Sequence, residues 1–66
     1  MRDYQQRVTE EKKELDEKAR GLSNFIGLNK EFLGIDKNSQ ELMKEQCETM
    51  WEYSEILGKR IALFKD

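Results

Sequence analysis

Two short segments of this sequence carry side chains that could bind an anion. The first contains Tyr4, Arg7 and Glu11, and the second contains Tyr53 and Arg60. Forked guanidinium groups suit phosphate, and aromatic faces suit a nucleobase. The same two arginines and one glutamate could instead form an Arg–Glu–Arg network that fixes how two helices pair. From the residues alone, both interpretations stay open.

A second group combines a tryptophan with small side chains at helical spacing: Cys47, Trp51, Ser54, Gly58 and Ala62. A glycine inside a helix costs about 1 kcal/mol relative to alanine, so a close neighbour should compensate for it. That neighbour is either another helix, which is the simpler interpretation, or a flat ligand. Trp51 could stack on a purine or anchor an oligomer.

Two further polar residues, Lys18 and Gln46, fall near the middle of the same pattern. They either extend their polar ends outward to solvent or line a polar cleft. The sequence does not separate these alternatives.

The composition excludes several classes of site. The 66 residues contain no histidine and one cysteine, Cys47, which excludes a zinc site or a disulfide framework within one chain. Without histidine, and with no strand to precede a phosphate loop, we expect no catalytic residues, no metal and no cofactor. A free cysteine fits a reducing cytoplasm.

The charge pattern argues against two kinds of partner. Charged residues make up 39% of the chain and the net charge is −2, the wrong sign for duplex nucleic acid or anionic lipid. No stretch approaches the roughly 18 apolar residues of a membrane span. The first twenty residues are densely charged, so we expect no signal peptide.

The elements that position these side chains are predicted to be two helices. Helical periodicity predicts an all-α, antiparallel hairpin in a single domain over 1–66, with helices over about 3–26 and 39–64. Asn38 with Glu41 resembles a capping box at the start of the second helix. The connection, about 27–38, is too apolar for a free loop, and we expect a short helical turn in it.

Each helix has a predicted apolar seam that faces its partner. The first seam is predicted as Tyr4, Val8, Glu11, Leu15, Lys18, Leu22 and Phe25. The second is predicted as Met43, Gln46, Met50, Tyr53, Leu57, Arg60 and Phe64. Leu42, Ile56, Ile61 and Leu63 widen the second stripe beyond what one hairpin can cover, which indicates self-association into a homo-oligomeric helical bundle, a dimer or a tetramer.

The two helical segments resemble a family of small tailed-phage proteins. The resemblance rests on "YQQRVTEEKKELDEKARGLSNFI" and "LMKEQCETMWEYSEILGKRIALF", and only the connection lies outside it. In the first segment the matching residues are Tyr4, Arg7, Val8, Glu11, Leu15, Asp16, Glu17 and Lys18. In the second they are Leu42, Gln46, Met50, Tyr53, Leu57, Arg60, Ile61 and Phe64. The chain is similar to crAss-related hypothetical proteins and resembles anti-CBASS sponge proteins.

The resemblance implies a phage protein that binds a cyclic nucleotide immune signal in the host bacterial cytoplasm without cleaving it. The ligand would be a cyclic dinucleotide such as 3′3′-cyclic GMP–AMP, or a cyclic ADP-ribose derivative, held between subunits. Arg7, Arg60 and Lys18 would contact phosphates, with Glu11 holding the arginines in place. Stacking on bases would fall to Tyr4, Tyr53 or Trp51, although Trp51 is outside the family pattern. The alternative is a helical interaction module that inhibits a host protein or acts as an assembly adaptor.

Overall fold

The computed structural model describes residues 2–65 and contains two long helices in a hairpin. Helix α1 spans Asp3–Leu28, a 3₁₀ helix spans Lys30–Gly34, and helix α2 spans Lys37–Ala62. The predicted all-α hairpin with a helical turn in its connection is therefore confirmed. Both predicted helix starts lie within two residues of the observed ones, as do both predicted ends.

The start of α2 differs from the predicted cap. Asp36 is the N-cap, and its carboxylate Oδ2 accepts a hydrogen bond from the Ser39 backbone N–H at 3.0 Å. The predicted cap, Asn38, lies inside the first turn, so that prediction was wrong. Asp and Asn cap about equally well, but Asp36 also brings a negative charge to the positive end of the helix dipole.

The apolar connection closes one end of the hairpin. Phe32 is buried, and its ring meets Phe25 edge to face with 6.1 Å between centroids. The side-chain amide of Gln40 donates to the backbone oxygens of Phe32 and Ile35, at 2.8 and 2.9 Å. These bonds fasten the 3₁₀ helix to α2, which explains why apolar residues occur in a connecting segment.

The helices meet along a seam that lies one residue away from much of the predicted one. Its members are buried or half-buried and follow a 3-4 spacing. On α1 they are Gln5, Val8, Lys12, Leu15, Ala19, Leu22 and Ile26. On α2 they are Gln40, Met43, Cys47, Met50, Ser54, Leu57, Ile61 and Phe64. The predicted seam was wrong for the residues that the structure exposes instead: Tyr4, Glu11, Lys18, Gln46, Tyr53 and Arg60.

The small residues explain this choice of seam. Ala19 is fully buried, and the Cys47 Sγ donates to its backbone oxygen at 3.8 Å. A Cβ added to Gly58 would lie 3.3 Å from Cε of Lys12. Small side chains allow the helix axes to approach closely, and the larger residues of the predicted seam would hold them apart. The interpretation of this stripe as a helix-packing surface is therefore confirmed for Cys47, Ser54 and Gly58, whereas Trp51 and Ala62 are exposed.

The resulting molecule is a rod with principal extents of 49 × 15 × 14 Å. Over the part of the chain that the structure describes, no helix is long and apolar enough to cross a membrane.

Candidate functional site

One long face of the hairpin collects the residues that immediately precede the seam residues. Both helices are right-handed and they run antiparallel. The residue one position N-terminal to each seam residue therefore lies on the same side of the hairpin in both helices. We call this side the tyrosine face. Its α1 members are Tyr4, Arg7, Glu11, Glu14, Lys18, Gly21 and Phe25. Its α2 members are Leu42, Gln46, Thr49, Tyr53, Ile56, Arg60 and Leu63.

Six of the seven predicted site residues lie on the tyrosine face: Tyr4, Arg7, Glu11, Lys18, Tyr53 and Arg60. All six are exposed. Tyr4 is oriented by an edge-to-face contact with Phe64, with 5.7 Å between ring centroids. The tertiary fold therefore brings both tyrosines and both arginines to one accessible surface.

The pairing of the helices places the two arginines at the same height. The Tyr4–Phe64 contact and the bond from Lys12 to Ser54 fix how the helices lie alongside each other. In this register Arg7 is level with Arg60, about one helix-packing distance of 8–10 Å across the hairpin. The open end of the hairpin thus carries two exposed arginines at one level, one on each helix.

Neither arginine forms an ion pair with a carboxylate of the described residues. Among residues 2–65, the ion pairs are Lys12–Asp16 and Lys59–Glu55. Glu11 lies one turn further along α1 and pairs with neither guanidinium group within the chain. The alternative Arg–Glu–Arg network is absent from the described part of a single hairpin, and the guanidinium donors face solvent.

The remaining predicted contacts lie further along the same face. Lys18 is eleven residues from Arg7, or about 16 Å along the helix axis, and Tyr53 is level with Glu14. Two to three helical turns thus separate these two residues from the arginine pair. The face therefore contains two groups of site residues, one at the open end and one near its middle.

Trp51, the seventh predicted residue, lies on the opposite side of the hairpin. There it borders an open cleft of about 410 Å³ whose other lining residues are Ser23, Ile26, Gly27, Lys44, Cys47 and Glu48. Trp51 cannot act on the same ligand as Arg7 within one chain. We call this side, made of the residues that follow the seam, the tryptophan face.

A polar cluster near the middle of the seam was missed by the sequence analysis. The Lys12 ammonium donates to Asp16 Oδ2 at 2.8 Å and to Ser54 Oγ at 3.1 Å, and the Ser54 hydroxyl donates to the other Asp16 oxygen. The hydrogen bonds from Lys12 and then Ser54 hold the pKa of Asp16 below its usual value. The signal was available, because Lys12 and Ser54 both fit a 3-4 seam that includes Ala19 and Cys47.

A second polar residue, Gln5, ties down the open end. It is fully buried; its side-chain oxygen accepts from the Arg2 backbone N–H at 3.0 Å, and its amide donates to the Lys65 backbone oxygen at 3.3 Å. The bond to Lys65 joins the first turn of α1 to the segment after α2. It supports the backbone beneath Tyr4 and Arg7.

The described residues contain no group of three or more His, Cys, Asp or Glu side chains placed to hold a metal ion. Cys47 is a free, buried thiol. The tyrosine face carries exposed cations and aromatic rings.

Comparison with known proteins places the chain in a family. The family model described as Sequestin matches residues 2–63. The chain belongs to the Sequestin family. It is also 45% identical over 62 residues to an uncharacterized 7.5 kDa protein from the denB-rIIB intergenic region of Enterobacteria phage T4, covering 94% of this chain and 95% of the relative. No solved structure matches it.

These matches support the phage part of the expected resemblance. The matched family residues 2–63 include both helices and the connection. The link to crAss-related proteins stays a prediction.

Proposed function

We propose that this protein is a phage sponge that sequesters a cyclic nucleotide immune signal in the host bacterial cytoplasm. The signal is a cyclic dinucleotide such as 3′3′-cyclic GMP–AMP, bound without cleavage. The observation that carries the proposal is the level pair Arg7 and Arg60, which faces solvent and has no paired carboxylate among residues 2–65. The family name denotes sequestration, and a relative is encoded by a bacteriophage.

The two guanidinium groups are suited to phosphate oxygens. Each offers forked N–H donors that match two oxygens at once, and two of them side by side match the doubly charged ring of a cyclic dinucleotide. Tyr4 lies at the same end, where its ring, held against Phe64, can stack on a base. Glu11, one turn away, forms no ion pair with Arg7 among residues 2–65 and is assigned no contact with the ligand.

Lys18 acts on the same ligand from a second copy of the chain, because within one hairpin it lies about 16 Å along the rod from Arg7. Tyr53 is seven residues, or about 10 Å, from Arg60 in its own chain and borders the site. A pocket between subunits removes this obstacle and encloses a ligand that a single open face leaves in water. Sequestration requires only such a preorganised pocket, since a stoichiometric binder needs no chemical step.

The direct test is calorimetry with a panel of cyclic di- and trinucleotides. We expect one of them to bind at sub-micromolar affinity. Arg7→Ala or Arg60→Ala should weaken binding by about 10- to 100-fold, the loss of a charge-assisted hydrogen bond of about 1.5–3 kcal/mol. Arg20→Ala is the matched control, because Arg20 is an exposed arginine on the tryptophan face of α1. It should bind as the wild-type chain does.

Two outcomes would overturn the proposal. If no cyclic nucleotide binds the folded chain, the exposed arginines serve another partner, and the host-protein interaction module becomes the better interpretation. If Arg20→Ala weakens binding as much as Arg7→Ala, the affinity comes from overall charge rather than from the tyrosine face.

A further inference from the structure

The tyrosine face leaves a row of apolar side chains on α2 uncovered. Leu42, Ile56 and Leu63 are 65%, 55% and 77% exposed, and Tyr53 lies between Leu42 and Ile56. These four residues occupy four of the seven positions that a 3-4 spacing gives from Leu42 to Leu63, the spacing with which one helix packs against another. Among residues 2–65, no other part of the hairpin covers this stripe.

The exposed surface of the whole chain points the same way. The chain exposes 5402 Å². A folded monomer of its 7.9 kDa mass would expose about 4,400 Å², roughly 1,000 Å² less. A stable protein–protein interface buries about 800 Å² on each partner. The excess is therefore about the size of one interface per chain.

We propose that the tyrosine face binds the tyrosine face of a second copy, with a two-fold axis level with Tyr53 and perpendicular to the helices. The pattern along α2 is self-complementary in this arrangement. Tyr53 meets Tyr53 of the partner subunit, and Leu42 meets Leu63 of the partner subunit. Thr49 meets Ile56 of the partner subunit, so each large apolar residue is covered.

The α1 half of the face is self-complementary about the same axis. Since Tyr53 is level with Glu14, the axis passes Glu14 on α1. Glu11 then meets Lys18 of the partner subunit, an opposite-charge pair that occurs twice. Tyr4 meets Phe25 of the partner subunit, an aromatic pair that also occurs twice. The unfavourable contact is Glu14 with Glu14 of the partner subunit, at the edge of the assembly.

The other two-fold arrangement is disfavoured by charge. An axis parallel to the helices keeps every residue at its own height and lays α1 over α2 of the partner subunit. It would place Arg7 against Arg60 of the partner subunit twice, which gathers four guanidinium groups at one level. The perpendicular axis instead places Arg60 against Gln46 of the partner subunit.

The dimer also leaves room at the candidate site; this step alone rests on the proposed function. Arg7 meets Gly21 of the partner subunit, and a Cβ at Gly21 would have nothing within 4 Å. Four residues lie at one height, about 10 Å from the two-fold axis along the helix direction. They are Arg7, Arg60, Gly21 of the partner subunit and Gln46 of the partner subunit. A space opens there beside two arginines, with Lys18 of the partner subunit one turn away.

Disulfide cross-linking tests the geometry directly. In a Cys47→Ser background, Tyr53→Cys should form a covalent dimer rapidly, because the axis brings position 53 of both copies together. Leu42→Cys is the matched variant on the same stripe. The two copies of position 42 would lie about 33 Å apart along the helix direction, so Leu42→Cys should not cross-link with itself. It should cross-link with Leu63→Cys when the two variants are mixed in equal amounts.

Rapid self-cross-linking of Leu42→Cys, or none by Tyr53→Cys, would overturn the proposal. As an independent check, sedimentation measures the molar mass of each variant in solution. Ile56→Lys should have the mass of a monomer, and Glu48→Lys, on the tryptophan face, should keep the wild-type mass. A dimer cross-linked through Leu42→Cys and Leu63→Cys, which leaves Tyr53 in place, would refute the proposed function alone if it binds no cyclic nucleotide. Nucleotide binding without this cross-link would refute the dimer alone.

Discussion

Helix α2 carries two parallel stripes with the same spacing, displaced by one residue. The inner stripe contains Cys47, Ser54 and Leu57 and is covered by α1. The outer stripe contains Tyr53 and Ile56 and is exposed. The outer stripe also contains Gln46, Thr49 and Arg60, whereas the inner stripe contains no charged residue, and the hairpin closes on the inner one. Apolar side chains made both stripes available, and charge together with side-chain size decided between them.

The difference follows from how close two helices can approach. On the inner stripe, Gly58 leaves room for the Lys12 stem, and Cys47 reaches the backbone at Ala19. The polar cluster of Lys12, Asp16 and Ser54 also requires this pairing. The outer stripe has larger side chains, which suit a second and wider contact such as the one proposed between copies.

The strongest test of the comparison is Leu57→Ala. Leu57 is 0% exposed, so its truncation should leave a cavity and lower the free energy of unfolding by about 2–5 kcal/mol. Leu28→Ala is the matched control, since Leu28 is 82% exposed and should change stability by less than about 0.5 kcal/mol. Urea denaturation followed by circular dichroism measures both. Equal effects would mean that α1 does not cover the inner stripe.

A smaller change in the free energy of unfolding is expected from replacing either of two helical glycines, and it should differ between them. Gly21→Ala should raise the free energy of unfolding by about 1 kcal/mol through helix propensity, because its Cβ meets open space. Gly58→Ala should gain less, since its Cβ would lie 3.3 Å from Lys12 Cε, whose ammonium is held by Asp16 and Ser54. The same denaturation measurement applies. A larger gain for Gly58→Ala would contradict the close approach at the inner stripe.

The smallest effect concerns acid stability. The folded-state pKa of Asp16 is lowered by hydrogen bonds from Lys12 and Ser54. The stability it contributes is therefore present above the unfolded pKa of about 3.9 and is lost as pH falls through the lower folded value. Asp16→Asn should reduce the loss of stability between about pH 5 and pH 2. Thermal melts across this range measure the effect.

The control for the acid prediction is Glu48→Gln, which removes an exposed carboxylate from the tryptophan face. Its melting temperature should follow the wild-type pH profile. If Asp16→Asn also follows that profile, the cluster of Lys12, Asp16 and Ser54 contributes nothing to the covered stripe.

Much of the fold could be predicted from the sequence for local reasons. Helix-forming residues, helical periodicity and the absence of proline identified both helices, and the apolar Phe32 segment indicated a helical turn. The cap at Asp36 was missed because Asn38 with Glu41 offered an equally good local pattern. Local signals place a helix end only to within a turn.

The candidate site was predictable as a set of residues but not as a surface. Tyr4, Arg7 and Arg60 were identified by chemical type, although they were assigned to the seam rather than to an exposed face. Trp51 was grouped with them, and the fold turns it to the other side. The half-buried polar cluster was missed because Lys12 and Ser54 do not resemble core residues.

The sequence by itself determined two amphipathic helices, a closed connection, a chemistry of arginines and tyrosines, and a surplus of apolar surface. These properties depend on residue types and on spacing along one helix. Only the tertiary structure decided which stripe is covered. That choice depends on the distance between two helix axes, which small residues on both helices set together. A shift of one residue turned the arginines and tyrosines from the seam to a shared, accessible face.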